Sequence, residues 1–162
     1  ISWRVINVDP IGRAKNNNDI LLDKDDYKYL FNFIKEKREE NLMNVEYGCS
    51  HYLGVDLEKE LRDTYFICTA GLYVASILSN GDIFICPDVE RRKEFIQGNI
   101  KTDNFINVWE NRFKIFRTEN RTKCSKCEKC SNWKYCCGDS FHTFNFDEGR
   151  PNFCVKDVLE EK

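Results

Sequence analysis

The sequence predicts an α+β fold: a small cysteine-rich module with a β-hairpin, an amphipathic helix and metal-ligating loops, preceded by a β/α remnant. Three observations carry that prediction. Residues 72–86, LYVASILSNGDIFIC, hold two β-rich runs around the turn signal Asn80-Gly81. Apolar residues recur at helical spacing from Tyr27 to Ile34 and from Phe105 to Phe116. Of nine cysteines in 162 residues, five (Cys124, Cys127, Cys130, Cys136, Cys137) fall within fourteen positions, a density that pairwise disulfides cannot readily use.

Composition bounds the function classes. With 25 Lys+Arg against 27 Asp+Glu, a net charge of −2 and 41% apolar residues, the chain reads as globular, with one domain or a small domain plus an appendage. Basic residues are interspersed with acidic ones, which argues against nucleic acid as a partner. No apolar run approaches the roughly 18 residues of a spanning helix, and no basic segment with an apolar stretch opens the chain. These features exclude a membrane partner and point to a soluble, non-secreted, cytoplasmic protein. The chain begins at Ile1 rather than Met and reads as a fragment or trimmed product.

Residues 1–8 (ISWRVINV) are β-branched and aromatic, end at Asp9-Pro10-Ile11-Gly12, and predict a buried strand. Asp23 is suited to cap a helix whose apolar positions Tyr27, Leu30, Phe31 and Ile34 share one face before KEKREE. A parallel strand needs neighbours, so this lone β/α unit implies further structure upstream. Residues 41–64 show no sustained period and predict a connector with room for a short strand or turn. The Asn80-Gly81 pair predicts a two-residue turn with both central residues at positive φ. Thr102 or Asp103 is the predicted cap of a second helix, with Phe105, Trp109, Phe113 and Phe116 as its core stripe. Residues 121–135 lack any period, so their order must come from ligation.

The cysteines form two sets: Cys68 and Cys86 bracket the hairpin, while Cys127-x2-Cys130-x5-Cys136 is followed by Cys154. Thiolates at such spacing suit zinc and a cubane cluster equally, since both need four sulfurs converging on one centre. A thiol oxidoreductase is disfavoured, because the CxxC steps lack the strand and helix N-terminus that lower a redox thiol's pKa.

Cys68, Gly81-x4-Cys86, Cys127-x2-Cys130-x5-Cys136, Gly138 and Cys154 together resemble the SPASM domain, the auxiliary-cluster module at the C-terminus of radical S-adenosylmethionine enzymes. CTAG at Cys68, NGDIFICP at Asn80, GNI at Gly98 and the helix around Trp109 strengthen the resemblance, which spans residues 64–154. Residues 1–45, with VDPIGRA after the strand, are similar to the end of the partial (β/α) barrel that precedes this module; 46–63 would be a connector and 64–162 the auxiliary-cluster domain. The resemblance implies one [4Fe-4S] cluster on Cys127, Cys130, Cys136 and Cys154. It implies a second on Cys68, Cys86 and a cysteine at the position of Ser140. That departure leaves the second cluster incomplete unless Cys137, Cys124 or Cys49 supplies a thiolate, Asp139 or Ser140 an oxygen, or one iron stays open; Cys137 and Cys124 are favoured by proximity in sequence.

The catalytic CxxxCxxC motif of that family is absent from the sequence, so S-adenosylmethionine would bind only in the missing barrel and the chain alone would not cleave it. The resemblance implies a module for electron relay or substrate positioning in an enzyme that modifies a peptide or protein. The alternative is a zinc-stapled interaction module without redox role.

Other residues carry weaker signals. His51 and His142 are conceivable ligands, though a lone histidine more often satisfies a local hydrogen bond. Asp63 and Asp82 could accept protons, but Asp82 suits the turn. Arg91-Arg92-Lys93 reads as a solvated basic loop. Lys123, Lys126, Lys129 and Lys134 would offset cluster charge, and Phe141, Phe144, Phe146 and Phe153 would shield the complete cluster.

Overall fold

The computed structural model describes residues 1–48, 51–117 and 125–159. β1 (Ser2–Val5) pairs in parallel with β2 (Asn44–Tyr47), Ser2 opposite Asn44 and Val5 opposite Tyr47. The crossover between them is α1 (Lys24–Glu39), after two 3-10 turns at Gly12–Asn16 and Asn18–Ile20. α1 begins where expected. The Asp23 carboxylate accepts from the backbone N–H of Asp25 and Asp26, and Asp26 returns a contact to the Asp23 N–H, a reciprocal cap. Tyr27, Phe31 and Ile34 then bury one face in a core with Val45 and Tyr47.

β1 is shorter and more exposed than the expected buried strand. Trp3 meets Phe33 of α1 edge-on, centroids 5.8 Å apart, yet remains 43% exposed. A two-stranded ladder packed on one helix covers too little of β1 to bury it. The segment expected as a connector holds β2 and a further helix, α2 (Val55–Leu61). α2 has no side-chain cap and only seven residues, too few for its period to show.

The hairpin forms as the outer part of a three-stranded antiparallel sheet ordered β3 (Ser76–Ile77), β4 (Asp82–Phe84), β5 (Ile96–Asn99). Its turn differs from the expected one. The Leu78 N–H donates to Asp82 O and the Gly81 N–H to Leu78 O, so three residues make the loop, and of the Asn80-Gly81 pair only Gly81 has positive φ, +96°.

α3 (Phe105–Asn111) runs on into a 3-10 turn at Phe113–Phe116, and its cap is Asn104 rather than Thr102 or Asp103. The reason is competition: the Asp103 carboxylate accepts from the Asn99 N–H at 2.9 Å and from Arg112 at 2.7 Å. Val108 and Phe113 are fully buried, with Phe105, Trp109 and Phe116 packed beside them in the second core.

The cysteine-bearing segment contains two single helical turns, α4 (Ser125–Glu128) and α5 (Trp133–Cys136), then the short ladder of β6 (Phe144–Asn145) with β7 (Arg150–Pro151). α6 (Val155–Leu159) returns to α1, placing Phe153, Val155 and Val158 in the first core. No helix among the described residues is long and apolar enough to cross a membrane.

Candidate metal centre

Cys68 and Cys86 pack beside the second core, and Cys68 accepts the Phe141 N–H at 3.4 Å. Burial pushes the Cys86 thiol up; the charges of Asp88 and Cys68 add to this, while the N–H groups of Asp88 and Val89 oppose it. The two cysteines that bracket the hairpin are thus electrostatic neighbours.

Cys154 lies within electrostatic reach of both Cys130 and Cys136. Burial pushes the Cys136 thiol up to about 12, helped by Asp139 and Cys154 and opposed by the N–H groups of Asp139 and Gly138. Cys154 is likewise raised by burial and by Cys130 and Asp139, against the Lys156 N–H and the charge of Lys126. Cys127 lies on α4, its carbonyl accepting the Cys130 N–H at 3.1 Å. All seven described cysteines are half-buried and outside disulfides. Cys49, Lys123 and Cys124 lie outside the described residues.

Among the described residues no three His, Cys, Asp or Glu side chains stand close enough to grip one metal ion. Three of the thiols, those of Cys68, Cys136 and Cys137, border one space. A cavity of about 600 Å³ is lined by Tyr52, Cys68, Trp133, Cys136, Cys137 and Asp139, among others. Soft thiolates bordering such a space are donors that suit an iron–sulfur cluster or zinc.

The turn that carries Cys137 has three consecutive left-handed residues, Cys137 (φ 50°), Gly138 (φ 82°) and Asp139 (φ 69°). A side chain at the middle position would add a tight 3.2 Å approach to the Phe144 ring to the strain of its positive φ, which favours glycine there. The flanking two cost roughly 1–2 kcal/mol each as L-residues. Asp139 supplies compensation: its carboxylate accepts from the Tyr52 N–H (2.7 Å), His51 Nδ1 (2.7 Å) and Thr143 Oγ1 (3.1 Å). The hydroxyl of Ser140, itself buried, lies 2.6 Å from Thr143 Oγ1. Since Thr143 gives its proton to Asp139, Ser140 donates to Thr143. Neither Asp139 nor Ser140 is therefore poised as the oxygen ligand considered from the sequence.

His51 is not poised as a ligand either. Its Nδ1 faces Asp139 and its Nε2 faces Asp9, both at 2.7 Å, so both ring N–H groups donate and the ring is an imidazolium. Burial opposes that charge, but the two carboxylates outweigh it and push His51 up to about 9. Burial also works against the Asp9 charge, yet contacts with His142 and His51 hold this carboxyl well below the usual range. His142 stands 3.7 Å from Asp9, an ion-pair distance.

A neighbouring buried pair locks the same backbone. Glu58 accepts from the Leu53 and Phe66 N–H groups at 2.9 and 3.1 Å and pairs with Arg62, which donates to the His51 carbonyl at 2.5 Å. Sequence reasoning missed this hub, whose partners lie 42 and 88 positions from His51 and leave no local signal.

The remaining expectations resolve structurally. Asp63 pairs with Arg38, and Asp82 accepts from Asn80 and Asn99 beside the hairpin turn. Arg92 is tied to Glu90, Glu94 and Asp147. Lys126 pairs with Asp157, while Lys134 sits over the Tyr135 ring. Phe141 and Phe146 meet Phe95 edge-on in the core that holds Cys68 and Cys86, and Phe153 packs at a tilt against Tyr27 and His51. Phe144 packs on Phe146 and beside Gly138 of the cysteine-bearing turn, so the four phenylalanines do not form one shell.

Residues 68–131 match the SPASM family model, an iron-sulfur cluster-binding domain. The fold is similar to that of native anSMEcpe solved with bound AdoMet and Cp18Cys peptide, with a TM-score of 0.54 at 20% identity. The alignment covers 96% of this chain and 45% of that one, so the chain spans less than half of the related structure. No curated protein matches the sequence.

Proposed function

The chain carries a SPASM-type iron-sulfur cluster-binding domain, and on that premise we propose that it serves as the auxiliary-cluster module of a radical S-adenosylmethionine enzyme acting on a peptide or protein. The observation that carries this reading is that Cys68, Cys136 and Cys137, remote in sequence, border one cavity in a chain whose residues 68–131 match the cluster-binding family model. Cys127, Cys130, Cys136 and Cys154 are assigned to one [4Fe-4S] cluster. Cys68 and Cys86 are assigned to a second, with Cys137 or Cys124 replacing the family cysteine at Ser140; Cys137 and Cys68 border the same cavity, which supports Cys137 as a candidate. A bound cluster supplies one-electron chemistry. The chain's own residues hold the thiols, exclude water through the aromatic core and fix the Cys137 turn.

The peptide in the related structure motivates the substrate class. Tyr65 and Ile67, both exposed and both lining the cavity, offer apolar surface to a peptide side chain. Residues 1–45 are assigned to the end of a barrel whose further strands would extend the sheet from β1, 46–63 to the connector and 64–162 to the cluster module.

The test is iron, sulfide and zinc content per chain after anaerobic preparation, with Cys130→Ala as control. About eight irons with equal sulfide support two clusters, and about four, lost in the control, support one. Zinc without sulfide, unchanged by iron reconstitution, would leave the zinc-stapled interaction module instead.

A further inference from the structure

Tyr52 carries an unanswered hydrogen bond. The residue is 5% exposed, and its hydroxyl is buried with no hydrogen-bond partner among the described residues. An orphaned buried hydroxyl is destabilising, and such groups in native proteins call for an explanation.

Everything else about this residue is fixed. Its N–H is held by Asp139 at 2.7 Å, the preceding carbonyl by Arg62 at 2.5 Å and the following N–H by Glu58 at 2.9 Å. Its side chain lines the cavity shared by Cys68, Cys136 and Cys137. The phenol lies in a field set by burial first and then by Cys136, Glu58, Tyr135 and Cys130, which together push it up to about 12. A phenol keeps its proton near neutral pH, so the hydroxyl is a donor on a residue that lines the cavity bordered by Cys68, Cys136 and Cys137.

We propose that the Tyr52 hydroxyl donates a hydrogen bond to a sulfur of the cluster held by Cys130 and Cys136, and so raises the reduction potential of that cluster. The assignment rests on the cluster reading above. A hydrogen bond to a thiolate or sulfide sulfur favours the reduced state, which carries one more negative charge. The locked backbone presents this donor without further ordering on cluster binding.

Tyr52→Phe removes the hydroxyl and keeps the ring. In the anaerobically reconstituted chain, iron and sulfide are expected to equal wild type, while the reduced-to-oxidised ratio of one cluster at fixed potential falls about tenfold, a shift of about 59 mV for one electron. An exchangeable-proton coupling to the reduced cluster, recorded by electron–nuclear double resonance in wild type, is expected to vanish in the variant. In the metal-free chain the unfolding midpoint should stay level or rise, since an unsatisfied group has been removed. Equal potentials and an unchanged proton coupling in the two iron-loaded chains would overturn the role of Tyr52 and leave the cluster reading standing. A metal-free variant clearly less stable than wild type would also overturn it, by revealing a protein partner for the hydroxyl. Wild type without iron and sulfide would overturn both.

Discussion

The first core and the cysteine-bearing turn are ordered by different forces. Around α1, Tyr27, Phe31, Ile34, Val45 and Tyr47 bury apolar surface, and Asp23 caps the helix with local hydrogen bonds. From Cys136 to Thr143, three left-handed residues are held by a chain of buried polar contacts running from Asp9 through His51 and Asp139 to Thr143 and Ser140. The first region needs no ligand to explain its order. The second is strained and polar, an arrangement suited to presenting thiols rather than to filling space. Its geometry also depends on the first region, because Asp9 follows β1 and His51 follows β2.

The sharpest way to break this contrast is Asp139→Ala, which leaves the His51 charge with one carboxylate and the left-handed turn unanchored. Loss of a partner from a buried ion pair costs about 3–5 kcal/mol. Urea unfolding of the metal-free chain should show a loss of that size, with amide exchange accelerating first over 136–143. Uniform acceleration across α1 as well would erase the distinction between the regions.

A pH series sharpens it next. The folded state raises His51 from 6.5 to about 9, so its stabilisation is fully present below about pH 6.5 and is lost as pH rises through 9. That loss is on the order of 3 kcal/mol. The buried thiols act in the same direction, but only above about pH 8.5. Between pH 6.5 and 8.5 the wild-type unfolding midpoint should therefore fall, while that of His51→Gln should be nearly flat; parallel slopes would remove the imidazolium from the account. The smallest effect belongs to the first region: Asp23→Ala should cost about 1 kcal/mol in urea unfolding and leave exchange over 136–143 unchanged.

The same contrast decides what could be read from the sequence. α1, its Asp23 cap, the hairpin and the core role of Phe113 rest on neighbours a few positions apart, which periodicity and turn chemistry report. The hairpin turn was legible as a turn but not in type, because closure at Leu78 and Asp82 draws in Ser79 as a third loop residue. β2, α2, β5 and α6 are short and owe their conformations to partners distant in sequence. For the site, thiol spacing pointed to the two cysteine sets. The clamp around His51 and Asp139 was hidden, since it joins residues from both ends of the chain: the sequence suggested a hydrogen-bonding role for His51 but not its partners 42 and 88 positions away.

The central claim is that these thiols hold a polynuclear iron–sulfur cluster. Mössbauer spectroscopy of the chain reconstituted anaerobically with ⁵⁷Fe tests it most directly. The account predicts quadrupole doublets of diamagnetic, valence-delocalised cubane iron that disappear in part in Cys130→Ala. A spectrum of isolated high-spin iron, identical in wild type and variant, would contradict it.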